Sequence, residues 1–429
     1  MDNEYIIKYV DALQVLDSRG DPTIEVIVKT VGGGIGRAIA PAGASRGKYE
    51  AVELRDSDVR KFKGKGVTKA VNNVKNYVAP ALQGIDSRRQ RDVDRIIIQI
   101  DGTPNKSQIG ANTAIATSLA VAKAAADTAK IPLFNYLGGA RAHILPIPML
   151  NIINGGAHAG NELAVQEFMI VPIGFDSFSE ALRAAVEIYK ELKTYLKAKY
   201  GALAINVGDE GGFAPPMTMV REAIEALINA IKAAGYDVEN QVRISLDAAA
   251  SQFFIDEKNV YKIDGKELSK EELLEYWKQL IEEYSLLSIE DPFHEEDFES
   301  YAALRRETKD RVIVVGDDLT VTNIVRLNEA IGKGAVTGVI VKPNQVGTLS
   351  ETMDFIELAK SRSIITIISH RSGESEDNTI AHLAVAVSGP FIKTGAPARG
   401  ERTAKYNELL RIENYLGSEA IYAGKIYRF

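Results

Sequence analysis

The stretch Gly338-Val-Ile-Val-Lys-Pro-Asn-Gln-Val-Gly347 joins a short apolar strand directly to a lysine. The uninterrupted apolar run of Val339, Ile340 and Val341 is typical of a strand that is buried on both faces. Pro343 restricts the residue before it to an extended backbone, so Lys342 is held where the strand meets its loop. A single lysine at such a position often only extends to solvent. The ends of the other strands therefore decide what Lys342 does.

The second half of the chain repeats this succession of apolar strand and helix. Beyond about residue 144, short apolar strands alternate with amphipathic stretches such as 177–200 and 217–234. This alternation predicts parallel βα units, and their number favours a barrel over an open sheet. We therefore predict an α/β fold in which residues 139–429 form a C-terminal (β/α)8-type barrel that carries the catalytic site.

The first part of the chain has a different pattern. Residues 5–40 alternate apolar and polar side chains around turn residues, which predicts a small antiparallel sheet. Residues 67–130 change to helical spacing, and their alanine-rich segment 110–126 suits close helix packing. The Gly138-Gly139 pair marks the predicted boundary. Residues 1–138 are thus predicted to form a smaller N-terminal α+β capping domain.

Composition and charge exclude several classes of protein. The 429 residues carry a net charge of −7 with no dense block of lysine and arginine, so we expect no nucleic-acid partner. The acidic start Met1-Asp-Asn-Glu-Tyr5 lacks the order of a signal peptide, and no apolar run reaches the length of a membrane span. We therefore expect a cytoplasmic location. The chain has no cysteine and five histidines, which favours oxygen ligands for any metal.

Charged side chains recur at the ends of the predicted strands of the second half. Glu167 opens one strand, and the others close or follow theirs: Asp209, Glu210, Asp247, Glu290, Asp291, Asp317, Asp318, Lys342, His370, Arg371, Ser372 and Lys393. One acidic residue after a strand is more often a helix N-cap than a metal ligand. In a βα barrel, however, all these ends converge on one face, where the active site forms.

Three of these carboxylates predict a metal site. Asp247, Glu290 and Asp317 come from three successive strands and would repel one another in a single barrel mouth. A hard divalent cation with oxygen ligands is the economical compensation. Mg²⁺ fits best because it keeps positions open for water and substrate oxygens, whereas Ca²⁺ is expected to need more protein oxygens.

The basic residues then gain a chemical role. Lys342 would share its site with a bound cation, and like charge together with desolvation lowers a lysine pKa, which makes a neutral amine available as a base. Arg371 with Ser372 suits a phosphate, and Lys393 suits a carboxylate. Glu210 and Glu167 are candidate general acids. This set suits removal of a proton beside a carboxylate, followed by loss of a β-hydroxyl.

Ten motifs in order along the chain resemble the enolase family, the phosphopyruvate hydratases of glycolysis. They are Ser18-Arg-Gly-Asp-Pro-Thr23, Gly43-Ala-Ser-Arg-Gly47, Asn154-Gly-Gly-Ala-His-Ala-Gly160, Gln166-Glu-Phe-Met169, Gly208-Asp-Glu-Gly-Gly-Phe-Ala-Pro215, Ser288-Ile-Glu-Asp-Pro-Phe293, Gly316-Asp-Asp-Leu-Thr-Val-Thr-Asn323, Asn344-Gln-Val-Gly-Thr-Leu-Ser350, Ser369-His-Arg-Ser-Gly-Glu374 and Lys393-Thr-Gly-Ala-Pro397. The Lys-Pro-Asn-Gln segment and the lack of cysteine look most like archaeal members. The resemblance implies a Mg²⁺-dependent carbon–oxygen lyase that converts 2-phosphoglycerate to phosphoenolpyruvate reversibly in glycolysis and gluconeogenesis.

The resemblance also implies a role for each matching residue. Asp247, Glu290 and Asp317 would hold one Mg²⁺, and Ser45 would join a second Mg²⁺ that arrives with substrate. Lys342 would remove the C2 proton, while Glu210, supported by Glu167, would protonate the departing hydroxyl. Arg371 and Ser372 would hold the phosphate and Lys393 the carboxylate, with His158 and His370 lining the pocket. The family further implies a homodimer or octamer and leaves room for surface partners and a cell-surface or secreted pool.

Two other readings compete with this one. A racemase or sugar-acid dehydratase on the same metal scaffold is disfavoured, because those enzymes lack the phosphate-binding His370-Arg-Ser372 and the Gly208 to Gly212 loop that this sequence has. A non-catalytic binding protein derived from the same fold would have no need to keep Lys342, Glu210 and all three metal carboxylates. Both readings predict no turnover of 2-phosphoglycerate.

Overall fold

The computed structural model describes residues 3–43 and 47–427 and contains two packed parts, a small sheet with helices and a closed barrel. The strands in the described residues are β1 Ile7–Leu16, β2 Pro22–Thr30, β3 Ile35–Ile39, β4 Ile144–Leu145, β5 Ile147–Asn154, β6 Glu167–Pro172, β7 Val242–Asp247, β8 Phe254–Ile255, β9 Val260–Ile263, β10 Lys266–Leu268, β11 Ser288–Glu290, β12 Ile313–Gly316, β13 Gly338–Val341, β14 Ile365–Ser369, β15 Phe391–Lys393 and β16 Ile421–Tyr422. None of the helices described is both long and apolar enough to cross a membrane.

The α-helices of the same residues cover the barrel and the small sheet. They are α1 Thr68–Asn73, α2 Ala79–Leu82, α3 Gln90–Asp101, α4 Ala111–Ala129, α5 Leu133–Gly138, α6 Phe178–Tyr200, α7 Val220–Ala233, α8 Lys270–Tyr284, α9 Phe298–Thr308, α10 Ile324–Lys333, α11 Pro343–Val346, α12 Leu349–Ser361, α13 Thr379–Ala386 and α14 Gly400–Leu416. The helices predicted at 177–200 and 217–234 are confirmed as α6 and α7. Ser177 caps α6 by accepting a hydrogen bond from the Glu180 amide at 3.2 Å.

The antiparallel sheet predicted for residues 5–40 is confirmed as β1-β2-β3. Its inner face packs on α4, in which small side chains let the backbones approach closely. A Cβ atom placed on Gly36 would overlap the Ala120 carbonyl oxygen, so only glycine fits at this point of β3. The alanine-rich pattern of α4 therefore reflects a helix that is buried along almost its whole length.

The predicted barrel is confirmed, but one of its strands runs in the opposite direction. Eight strands close in the order β11-β12-β13-β14-β15-β5-β6-β7. β6 pairs antiparallel with both β5 and β7, whereas the remaining neighbours are parallel. The expectation of uniformly parallel units is wrong here, because residues 155–166, which join β5 to β6, contain a single 3₁₀ turn and no α-helix that could cross over. As a result Glu167, the first residue of β6, lies at the mouth where the other strands end.

The segment that carries Glu210 is a turn and not the predicted strand. A 3₁₀ helix, Ala202–Ile205, is followed by a loop with an internal hydrogen bond. In this bond the Gly208 amide donates to the Gly212 carbonyl at 2.8 Å. The Glu210 carbonyl accepts from the Ala396 amide at 2.9 Å, which ties this turn to the loop after β15. Glu210 thus reaches the barrel mouth from a loop.

Candidate active site

Three carboxylates stand side by side on neighbouring strands at the barrel mouth. Asp247 on β7 lies in register with Glu290 on β11, and Glu167 on β6 lies opposite Asp247. All three side chains are buried, at 3% exposure or less. The reversed direction of β6 is what places Glu167 in this row, because its first residue meets the last residue of β7.

Lys393 neutralises this row of acids. Its Nζ lies 2.9 Å from Asp247 Oδ2, 2.8 Å from Glu290 Oε1 and 3.2 Å from Glu167 Oε2. Burial favours the neutral amine, yet Asp247 and the other carboxylates raise the pKa of Lys393 well above its usual range. Burial, reinforced by the charge of Asp247, raises the pKa of Glu290 well above that of an ordinary glutamate. Glu290 consequently needs nearby positive charge to stay ionised.

Asp317 lies in the same pocket but contacts a different lysine. Its carboxylate forms an ion pair with Lys342 and accepts a hydrogen bond from Gln345 Nε2 at 3.1 Å. Asp247 and Asp317 therefore line the same pocket, and Glu290 is linked to Asp247 through the shared Lys393. Asp317 also forms a tight group with Asp291 and Asp318, in which oxygen atoms lie within 4.8 Å of one another.

The donor set of the pocket fits a hard cation. The predicted ligands Asp247, Glu290 and Asp317 are buried carboxylates, and sulfur ligands are excluded by the lack of cysteine. The charge of Asp317 also raises the pKa of Glu290, which shows that the two acids repel each other across the mouth. A divalent cation among these oxygens would relieve that repulsion. Ser45, the predicted ligand of a second cation, lies outside the described residues.

Lys342 is placed as predicted at the end of β13, partly buried beside Asp317. Its amide donates to Thr322 Oγ1 at 2.9 Å, which fixes the backbone at the strand end. Burial favours the neutral amine, but Asp317 and Glu290 together raise the pKa of Lys342 above that of a free lysine. The lowered pKa that the sequence predicts for Lys342 is thus not produced by the charged groups of the protein itself. The reason is that the neighbouring carboxylates outweigh desolvation and the repulsion from Arg371 and Lys393.

Glu210 and Glu167 form a carboxyl pair around a buried histidine. His158 Nδ1 lies 3.6 Å from Glu210 Oε1 and 3.8 Å from Glu167 Oε1. Burial and the charge of Glu210 raise the pKa of Glu167 well above its usual range. Burial acts in the same direction on Glu210, but the two histidines, His158 and His370, lower its pKa well below that range. The two carboxyl groups of the pair thus have pKa values shifted in opposite directions, as in a site where one carboxyl group acts as acid and the other as base.

Arg371 and Ser372 line the same pocket. The Arg371 guanidinium is buried and forms a two-point ion pair with Glu50, at 2.8 Å from Nη1 and 3.1 Å from Nη2. Asn344 Oδ1 accepts from Nη1 at 3.2 Å. A planar guanidinium held in this way presents a fixed fork to an anion.

Sequence reasoning missed several polar residues that hold the predicted ones in place. Asn151 donates to Glu210 Oε2 at 3.0 Å, and Glu50 holds Arg371. The Asp291 carboxylate accepts the amides of Asp317 and Asp318 at 2.9 and 2.7 Å. Asp291 was recognised as a strand-end residue because it directly follows Glu290, but its role in holding Asp317 and Asp318 was not predicted. Asn151 and Glu50 carry no comparable signal, because one sits inside an apolar strand and the other lies far from the barrel in sequence.

Comparisons with known proteins agree with the fold and the site. The family described as "Enolase, N-terminal domain" matches residues 7–137, and "Enolase, C-terminal TIM barrel domain" matches residues 142–428. The chain is 56% identical to the enolase of Aeropyrum pernix over 98% of this chain and 97% of that protein. It is 54% identical to the enolase of Methanocaldococcus jannaschii and 53% identical to that of Pyrococcus furiosus, each over 100% of this chain and 99% of the relative. The predicted resemblance is confirmed along the whole chain.

Proposed function

The chain belongs to the enolase family, and we propose that it interconverts 2-phosphoglycerate and phosphoenolpyruvate at the barrel mouth, with Lys342 as the base at C2. One observation carries the assignment of residues. A single pocket is lined by a partly buried lysine, a carboxyl pair with opposed pKa shifts and a buried arginine, namely Lys342, Glu167, Glu210 and Arg371. These are the groups that a β-elimination from a phosphorylated hydroxy acid requires.

Proton transfer follows from the placement of these groups. Lys342 in its neutral form accepts the proton from C2, and the carboxyl pair returns a proton to the departing C3 hydroxyl, which leaves as water. Glu167 holds that proton before the reaction, and ionised Glu210 shares it across the pair. In the reverse direction Lys342 donates the proton and the pair accepts one from water. Arg371 and Ser372 orient the phosphate, and Lys393 pairs with the substrate carboxylate.

We further propose that the metal is Mg²⁺ and that two ions act in each site. Asp247, Glu290 and Asp317 would hold one ion, and Ser45 would contribute to the second as substrate binds. When bound, Mg²⁺ supplies positive charge beside the substrate carboxylate, where negative charge develops after C2 loses its proton. The same positive charge near Lys342 favours the neutral amine that the base requires.

The test compares Lys342→Ala with a matched lysine variant. Lys106 is also buried, and its Nζ pairs with Glu351 at 2.7 Å, but it lies outside the pocket. Formation of phosphoenolpyruvate is followed by its absorbance with 2-phosphoglycerate and Mg²⁺, and exchange of the C2 proton with solvent deuterium is followed by NMR. We expect Lys342→Ala to lose about 10²-fold or more of both signals, and Lys106→Ala to keep both. An EDTA-treated sample should be inactive and recover with added Mg²⁺.

The carboxyl pair is tested separately from the base. Glu210→Gln should retain C2 exchange, because the base for that step is Lys342 and not the carboxyl pair. Dehydration should fall about 10²-fold or more. A Lys342→Ala enzyme with full dehydration activity, or a wild-type enzyme that is folded and loaded with metal but inactive, would overturn the proposal.

The homodimer or octamer implied by the family stays a prediction, and light scattering in solution measures it.

A further inference from the structure

Arg402 is a completely buried arginine that contacts His370, the histidine next to Glu210. It lies in the first turn of α14, and its side chain is 0% exposed. Its Nη1 contacts His370 Nδ1 at 2.5 Å and donates to the Arg371 carbonyl at 2.7 Å. Its Nη2 donates to the carbonyls of Asp209 and Ser372 at 3.0 and 2.5 Å. One guanidinium therefore joins the Glu210 turn to the loop after β14.

In the hydrogen bond between Arg402 and His370, only Arg402 can be the donor. A guanidinium stays protonated in proteins and offers donors but no acceptor. His370 Nδ1 must therefore accept the hydrogen bond from Arg402, which means that Nδ1 carries no proton. A neutral imidazole then holds its proton on Nε2. Burial, supported by the nearby charge of Arg402, lowers the pKa of His370 to about 4, so the ring is neutral at ordinary pH.

The proton on Nε2 faces the carboxyl pair. His370 Nε2 lies 3.4 Å from Glu210 Oε1 and has no other hydrogen-bond partner within residues 3–43 and 47–427. With the opposite tautomer, two lone pairs would face each other across this distance. An N–H directed at Glu210 stabilises the ionised form of that carboxyl. The Nε2–H tautomer of His370 thus places a hydrogen-bond donor next to Glu210 Oε1.

We propose that Arg402 is a positioning residue that fixes His370 as the Nε2–H tautomer and thereby directs an N–H donor at the Glu210 carboxylate. Arg402 touches neither substrate nor metal ligands in this assignment, and it acts through His370. The inference rests on the proposed function for the role of the pair, but the tautomer itself is independent of any activity. In this tautomer the unprotonated His370 Nδ1 is an acceptor for the buried Arg402 Nη1.

The tautomer is measured directly by nitrogen NMR of the full-length protein labelled at histidine. Five histidines give five ring systems, and the one lost in His370→Gln identifies His370. We expect a pyridine-like Nδ1 and a pyrrole-like Nε2 for His370 near neutral pH. A pyrrole-like Nδ1, or two protonated nitrogens, overturns the proposal. In folded Arg402→Met, the His370 signals should shift toward the other tautomer or a mixture of both.

Arg399→Met is the matched control for loop anchoring. Arg399 lies just before α14 and donates to the carbonyls of Gly208 and Ser18 at 3.3 and 2.9 Å, but it makes no contact with His370. Arg402→Met should lose about 10²-fold of dehydration while keeping C2 exchange, and Arg399→Met should keep the two rates in their wild-type ratio. Equal losses of exchange and dehydration in Arg402→Met would mean that the arginine only holds the loops together, and would overturn the proposal.

A second pair of variants keeps the test decisive if Arg402→Met does not fold. The glutamine amide can reach toward Glu210 as Nε2–H does, whereas the shorter asparagine amide reproduces only the Nδ1 side. We therefore expect His370→Gln to dehydrate substrate about tenfold or more faster than His370→Asn, since a donor to a charged group is worth about 1.5 kcal/mol or more. The opposite order would overturn the proposal. A failure of the proposed function would instead appear as an active Lys342→Ala enzyme with an unchanged His370 tautomer.

Discussion

Asp291 shows how one residue with no direct part in the chemistry can shape the site. Its φ of 41° lies in the left-handed region, which turns the side chain back toward the end of β12. There Oδ1 accepts from the Asp317 amide and from Tyr301 Oη at 2.9 and 2.8 Å, and Oδ2 accepts from the Asp318 amide at 2.7 Å. The carboxylate thus fixes the backbone that carries a predicted metal ligand.

Replacing this carboxylate by an amide should be costly. Asp291→Asn preserves size and tolerates the left-handed backbone, but its NH₂ group must face an amide or hydroxyl donor. We expect a loss of about 1–3 kcal/mol in the free energy of unfolding and weaker Mg²⁺ binding. Urea denaturation and calorimetric titration of Mg²⁺ measure these two quantities.

Tyr301→Phe is the matched comparison for Asp291→Asn. It removes one donor to the same carboxylate and leaves both backbone bonds to Asp317 and Asp318 in place. We expect a loss of about 1 kcal/mol and nearly unchanged Mg²⁺ affinity. Equal Mg²⁺ affinity in the wild type and Asp291→Asn would show that Asp291 does not position the metal site.

At the scale of elements, α12 is held in place by side chains from the N-terminal part of the chain. This helix begins seven residues after Lys342, so its first turn anchors the loop that follows the base. The Leu349 amide donates to Ser118 Oγ at 3.0 Å, and the Ser350 amide donates to Asp94 Oδ2 at 2.9 Å. Residues more than 230 positions away thus satisfy helix donors that have no partner within the helix.

Asp94→Ala should therefore weaken this helix start. Asp94 is 1% exposed and also accepts from Ser118 Oγ at 2.6 Å, so its removal leaves a buried amide and hydroxyl without their acceptor. We expect a loss of about 1–3 kcal/mol in the free energy of unfolding, with earlier hydrogen exchange at the Ser350 amide. Denaturant titration and hydrogen-exchange mass spectrometry measure the two effects.

Asp92 provides the control on the same helix. It lies two residues earlier in α3 and pairs with Arg89 and Arg95, both largely exposed. Exposed pairs of this kind contribute about 0–1 kcal/mol, so Asp92→Ala should be nearly neutral. If the two variants lost equal stability, the α3 helix itself and not the contact with α12 would be the cause.

For the whole molecule, Asp377 joins the N-terminal part to the barrel. Its Oδ2 accepts from Lys123 Nζ on α4 at 2.8 Å and from the Ile39 amide on β3 at 3.1 Å, while Oδ1 accepts from the Thr379 amide at 2.8 Å. Burial favours the neutral acid, but Lys123 and these hydrogen bonds lower the pKa of Asp377 to about 2. The junction thus depends on an ionised carboxylate.

This junction predicts a loss of stability in acid. The pKa of Asp377 is lower in the folded state than in the unfolded chain, so its contribution is present above the unfolded pKa of about 4 and is lost as pH falls toward about 2. The shift corresponds to about 2 kcal/mol. In denaturant titrations, Asp377→Asn should be less stable than the wild type at pH 6, and the difference should shrink between about pH 4 and pH 2.

Asp354→Asn separates this effect from general acid sensitivity. Asp354 also bridges the two parts, through Arg91 at 2.6 Å, but both side chains are more than a third exposed. We expect little change in stability and in its dependence on pH for this variant. A stability difference for Asp377→Asn that did not vary with pH would show that the Asp377 charge does not hold the junction.

The sequence by itself determined most of the barrel strands and helices and the residues at the ends of β7, β11 and β13. Apolar runs such as Val339 to Val341 and helical spacing over 177–200 predicted real elements, because side-chain periodicity is a local property of the backbone. The convergence of Asp247, Glu290 and Lys342 on one mouth followed from the geometry of a barrel. The family resemblance then supplied roles that spacing alone leaves open, notably those of His158 and Ser45.

Tertiary structure decided the direction of β6, the turn around Glu210 and the partners of each charge. Strand direction depends on pairing with neighbours distant in sequence, and a buried run looks the same in either direction. The raised pKa of Lys342 arises from carboxylates on other strands, and the His370 tautomer is dictated by an arginine 32 residues away. Such effects depend on distances of a few ångströms between side chains, which only the folded chain brings together.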